Sequence, residues 1–146
     1  MNAKIILLLF LFTLSLQSCA QKTNTKNADL KISEITMSEE SILKPVKTLI
    51  EAMETEDAVL IRKQFATTAT QAYGANGKMK TPEATAKWLE SDIISRQGKV
   101  KNPEYIVLSD TEVVVRGQYE SRGYSSKADF LFTVEDGLIT SWRMRY

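Results

Sequence analysis

The hydrophobic pattern of the chain predicts an α+β fold, with helices first and an antiparallel sheet after them. Apolar residues recur at three- and four-residue spacing up to Ile93, and at every second position from Tyr105 onward. Gly98 stands where the period changes, and short turn-forming stretches cut the second half into strand-length segments. At 146 residues, the chain is long enough for one domain with a real core.

The elements follow in order. Lys4 precedes the apolar run Ile5–Phe12, and small or polar residues follow it, which is the pattern of a secretory signal. The run is shorter than the roughly 20 apolar residues that span a bilayer. Residues 20–41 are rich in Lys, Thr, Ser and Asn and read as a flexible tether. Ser38 or Ser41 then caps a helix in which Ile42, Leu43, Val46, Leu49, Ile50 and Met53 share a face. Pro45 is tolerable if that helix starts at about residue 42. A short second helix is expected over Asp57–Phe65, followed by a short strand ending in a turn at Gly74–Gly77. Thr81, Pro82 and Glu83 announce a third helix, with Ala84, Thr85, Trp88, Leu89 and Ile93 on its apolar side.

Four strands complete the chain: Tyr105–Leu108, Glu112–Glu120, Ser125–Val134 and Leu138–Tyr146. Ser121-Arg122-Gly123 and Glu135-Asp136-Gly137 look like hairpin turns. Alternation places Val113, Val115, Tyr119, Phe130, Phe132, Val134, Leu138, Trp142, Met144 and Tyr146 on one face. Val114, Arg116, Asp129, Leu131, Arg143 and Arg145 fall on the other. The aromatic face should take the helices, because that removes the most hydrocarbon from water. The charged face then forms cross-strand ion pairs in solvent, or a homodimer surface, or an anion site.

Composition narrows the chemistry. There are 19 basic and 18 acidic side chains, so no general field draws the chain to nucleic acid. Histidine is absent, which removes the commonest general base and metal ligand. The one cysteine, Cys19, makes no internal disulfide and has no zinc-binding spacing around it. No metal and no cofactor is expected.

Leu16-Gln17-Ser18-Cys19 resembles the lipobox of bacterial lipoproteins. The resemblance implies cleavage before Cys19, acylation of its thiol and anchorage in a lipid bilayer. An ordinary signal peptide with an incidental thiol, or a buried N-terminal helix, is the alternative. Cleavage removes Lys4 and leaves equal numbers of basic and acidic side chains, so attachment would rest on lipid and not on charge. Ala20 stands where many inner-membrane lipoproteins carry Asp, which points to the outer membrane, facing the periplasm. The resulting organisation is residues 1–18 as signal peptide, 19–40 as lipidated cysteine and tether, and 41–146 as the folded domain.

That domain resembles the NTF2-like, or SnoaL-like, superfamily. The likeness rests on helices first, a lone strand, a helix carrying Trp88, and the ending "FLFTVEDGLITSWRMRY". It implies a conical pocket between helices and a curved sheet. The superfamily contains ketosteroid isomerases and polyketide cyclases, beside many members with no demonstrated chemistry. The pocket residues implied are Tyr73, Trp88, Tyr119, Phe130, Phe132, Trp142 and Tyr146. Asp92 is the carboxylate that helical spacing brings nearest the pocket, with Arg96 one turn on. As catalytic residues they would form a base and the cation holding it ionised. As helix-surface residues they are an i,i+4 pair worth about 0.2–0.5 kcal/mol. A lipid-anchored domain that binds a small apolar ligand is preferred to a small isomerase or cyclase using Asp92 and a tyrosine.

Overall fold

The computed structural model describes residues 25–145, with side chains from residue 38 onward. Cys19, the segment before it and Tyr146 therefore lie outside the described residues. The order is α1 (Thr25–Glu54), α2 (Ala58–Lys63), β1 (Phe65–Tyr73), α3 (Pro82–Trp88), a π-helical turn (Leu89–Ile94), β2 (Lys99–Val107), β3 (Glu112–Ser121), β4 (Tyr124–Glu135) and β5 (Leu138–Met144). The fold is α+β, as the change of period requires. None of the described helices is long and apolar enough to cross a membrane.

α1 starts earlier than its serine cap signals suggest. It is helical from Thr25, so much of the stretch read as a tether lies in a helix, and Pro45 is interior rather than in the first turn. Ser41 does not act as a cap. Its Oγ donates back to the Ser38 carbonyl at 2.7 Å, the habit of a serine inside a helix. The apolar face is as the spacing requires: Ile42, Val46, Leu49, Ile50 and Met53 are all buried. Asp57 caps α2 by accepting from the Leu60 amide. Thr81 caps α3 by accepting from the Ala84 amide at 3.3 Å, with Pro82 in the first turn. After Trp88 the helix widens: the Ser95 amide bonds to the Glu90 carbonyl, and the Gly98 amide to that of Ile93.

The sheet order is β1-β5-β4-β3-β2. β2 to β5 form an antiparallel meander, while β1 joins its edge parallel to β5. The Asp136-Gly137 turn has φ of 51° and 74°, the double left-handed geometry that two-residue hairpins need. Phe132, Trp142, Val113 and Val115 face the helices and are fully buried. Val114, expected on the charged face, is buried as well. It is flanked in register by Ile106 and Leu131, so that face carries an apolar stripe beside its ions.

The β2–β3 ladder is irregular at one place. β2 runs from Lys99 rather than from Tyr105, and its pairing with β3 slips between Lys101 and Glu104. Asn102 sits there with φ of 50°, followed by Pro103, which an edge strand at a bulge tolerates. Gly117 on β3 lies against this bulge. A Cβ there would stand 2.6 Å from the Lys101 carbonyl oxygen and 3.1 Å from that of Asn102. Gly117→Val should therefore destabilise the domain by about 1–3 kcal/mol in urea denaturation. Gly123→Asn, at a left-handed turn position with open space around it, should change stability by less than about 0.5 kcal/mol.

Candidate functional site

A hollow of about 300 Å3 lies between the sheet and the third helical segment. Its floor is Phe130 of β4 with Trp142 and Met144 of β5. Trp88 of α3 and Ile93 form one wall, and Tyr73 closes the end of β1. Tyr119, Tyr124, Ser121 and Ser126 line the side toward the β3–β4 hairpin, and Asp92 and Arg96 stand at the helical edge.

The aromatic floor is built around Trp142. Its ring centroid is 5.1 Å from that of Trp88 at 84°, 5.3 Å from that of Phe130, and 4.9 Å from that of Phe132. These are the edge-on and tilted contacts that aromatic quadrupoles favour. Polar groups are fewer and placed. The Trp88 indole Nε1 donates to Tyr73 Oη at 2.6 Å, which leaves the Tyr73 hydroxyl hydrogen free for another acceptor. Lys80 Nζ lies 4.6 Å from the Tyr73 ring centre, so a cation backs the ring. Tyr119 Oη donates to the Asp92 carbonyl at 3.3 Å. Gly98 makes room for that phenol: a Cβ there would come within 2.5 Å of the Tyr119 oxygen.

Asp92 keeps company with solvent. Ser91 Oγ donates to its Oδ2 at 2.7 Å, and Arg96 Nε is 3.9 Å from Oδ1. The side chains of Arg96 and Asp92 are 54% and 41% exposed, so this pair forms a wet rim rather than a buried charge. Asp129 and Glu112 do not line the hollow. Asp129 accepts from Arg145 Nη2 at 2.6 Å. Arg143, also expected in an outer ion pair, donates instead to the Gly74 and Gly77 carbonyls at 3.2 and 2.7 Å. It thereby fixes the loop that follows Tyr73.

Of the residues the sequence marks out, Tyr73, Trp88, Asp92, Arg96, Tyr119, Phe130 and Trp142 meet at this hollow. Phe132 points inward but lies behind the floor, against Trp142. Tyr146 and Cys19 fall outside the described residues. Tyr124 and Ser126 are lining residues that the sequence did not single out. Carrying the alternation of β4 back from Phe130 reaches both, and Ser126 pairs with Tyr119 in register.

No protein-family model matches the chain, and no curated protein matches it. Solved structures do. A Mycobacterium tuberculosis protein solved with estradiol-17beta-hemisuccinate is similar at 17% identity and a TM-score of 0.60, over 73% of this chain and 93% of that one. The Delta 5-3-ketosteroid isomerase of a Mycobacterium species is similar at 16% identity and a TM-score of 0.59, over 73% and 92%. An NTF2-like protein of unknown function from Cytophaga hutchinsonii is similar at 19% and 0.55, over 68% and 83%. At such identities the likeness establishes the fold, an NTF2-like cone of helices on a curved sheet.

Burial raises the Tyr73 and Tyr119 phenols above the ordinary value of about 10, and the Trp88 indole only partly offsets this for Tyr73. Both stay neutral donors throughout the physiological range. The folded state holds their protons more tightly than the unfolded chain, so their contribution to stability is complete below about pH 10 and falls as pH rises beyond it. Ultraviolet titration of the five tyrosines should show a late-ionising group above pH 10 that shrinks in Tyr73→Phe and in Tyr119→Phe. Simple ionisation of all tyrosines near pH 10 would contradict this placement.

Proposed function

We propose that the chain is a binding domain for a small, largely apolar ligand, displayed in the bacterial cell envelope on a lipid anchor at Cys19. The observation that carries the ligand is the hollow itself: an aromatic floor, a free phenol donor on Tyr73, and charge only at the wet rim. A dry cavity of about 150 Å3 accepts benzene, so about 300 Å3 suits one or two rings. The one polar group such a ligand needs is an acceptor for Tyr73. The anchor is supported by the lipobox resemblance of Leu16-Gln17-Ser18-Cys19, and Ala20 favours the outer membrane facing the periplasm.

Asp92 lines the same hollow and favours a second reading, a small isomerase or cyclase in which it moves a proton beside a tyrosine. Some proteins of this fold bear such names, among them a putative polyketide cyclase from Sinorhizobium meliloti and the ketosteroid isomerase. Against it, the Asp92 carboxylate stands in solvent at the rim beside Arg96 and not in a water-excluded interior.

The mature chain with Cys19→Ser, mixed with 2-naphthol as a two-ring probe, should melt at a higher temperature than alone. Tyr73→Phe should weaken binding about fivefold, the equivalent of one neutral hydrogen bond. Asp92→Asn should leave affinity within about twofold. Turnover of unsaturated cyclic ketones that disappears in Asp92→Asn while affinity persists would establish the enzyme instead. In bacteria making the full chain, Cys19→Ala should move the protein from the membrane pellet to the soluble fraction. An unchanged distribution would remove the anchor.

A further inference from the structure

A second hollow, of about 250 Å3, opens between β1, the end of α2 and α3. Phe65, Ala69, Ala86 and Leu89 supply its apolar lining, and Arg62 and Glu90 pair across its edge at 2.5 Å. The two hollows have one lining residue in common, Trp88. Trp88 is 5% exposed and held on two sides, by its hydrogen bond to Tyr73 and by its edge contact with Trp142. It is a partition fixed in place.

The surroundings of the partition are not a sealed apolar core. Among the described residues, the buried side-chain polar atoms without a protein partner are Gln71 Nε2 and Oε1, Thr85 Oγ1 and Trp142 Nε1. Thr85 lies one helical turn before Trp88, and Gln71 pairs in register with Trp142 on the strand against which α3 packs. Gln71 is wholly buried and Thr85 is 5% exposed. Thr85 lines the second hollow and Trp142 the first, whereas Gln71 lines neither. Buried polar groups are normally satisfied, so Thr85 is the residue of the three at which a guest in the second hollow meets an unpartnered oxygen.

We infer that Trp88 is the specificity-determining residue that limits ligand length, and that the second hollow is the space a longer ligand enters once Trp88 is reduced. The inference rests on the ligand-binding function proposed above. The ligand class it concerns is an elongated apolar molecule with one neutral hydroxyl or carbonyl. With Trp88 intact the chain of such a molecule ends against the indole. Without it the two hollows join and nearly double the space.

The test is a series of straight-chain primary alcohols, from butan-1-ol to dodecan-1-ol, titrated into the mature Cys19→Ser chain by calorimetry. Affinity should rise about fourfold for each methylene that finds apolar wall, then level off at a definite length. In Trp88→Leu the levelling should move to longer alcohols with little change for butan-1-ol. Adding Ala86→Leu, at an exposed helix position lining the second hollow, should restore the shorter limit. Trp88→Phe, a smaller change, should give a smaller shift in the same direction and serves if Trp88→Leu does not fold. The same limit in wild type, Trp88→Leu and Trp88→Phe would overturn the inference, as would an equal gain at every length or no levelling in the wild type. If neither 2-naphthol nor any alcohol binds the wild type, the ligand-binding function itself fails. If 2-naphthol binds and the limit does not move, only the role of Trp88 fails.

Discussion

The close approach of the β2 backbone to Gly117 is the constraint on which the rest depends. A side chain on β3 at that point would collide with two carbonyl oxygens of the bulge. With hydrogen in its place, β2 slips register at Asn102–Pro103 and the ladder bends. The sheet centre is buried under α1, while toward the β3–β4 hairpin Tyr119, Tyr124 and Ser126 face the hollow. The same apolar surface that drives folding thus becomes, at one end, the surface that can receive a guest.

Holding such a hollow open needs stiff walls, because exposed aromatic groups otherwise collapse onto one another. Trp142 meets Trp88, Phe130 and Phe132 by edges and tilts, so the rings brace each other without closing the space. Trp88 is pinned by Tyr73, and Tyr73 is held by the loop that Arg143 clamps. The support of the pocket therefore reaches through the sheet: a cation on the outer face positions a phenol on the inner one. The widened turn after Trp88 belongs to the same device. It carries Asp92 and Arg96 at the rim and Ile93 buried in the wall.

Local chemistry made most of the fold legible in the sequence. Asp57 and Thr81 cap helices because their short oxygens reach free amides, and Asp136-Gly137 forms a turn because both residues tolerate positive φ. Alternation sorted Val113, Phe130 and Trp142 inward since a strand has only two faces. What escaped depends on partners distant in the chain. No local signal says that β1 will lie parallel to β5, or that Arg143 will find two loop carbonyls rather than a carboxylate. The early start of α1 escaped because a cap residue is only permissive: Ser41 bonds equally well backward when the preceding turn is already helical. In the site, seven marked residues came together because they sit on inward registers. Tyr124 and Ser126 were missed because the inward pattern was not followed to the hairpin.

The position of Asp92 is the observation that separates binding from chemistry on physical grounds. A carboxylate becomes a useful base near neutral pH when it loses water and has no cation beside it. Asp92 is two-fifths exposed, accepts from Ser91 and lies near Arg96, so it sits on the solvated rim of the hollow. The strand carboxylates that could have served in its place are outside: Asp129 is tied to Arg145, and Glu112 lies away from the cavity. The lining offers two neutral phenols, Tyr119 buried and Tyr73 at the open end, whose protons desolvation holds more firmly. Tyr119 spends its hydrogen on the Asp92 carbonyl, so the Tyr73 phenol is the donor left to orient a carbonyl or hydroxyl over the aromatic floor.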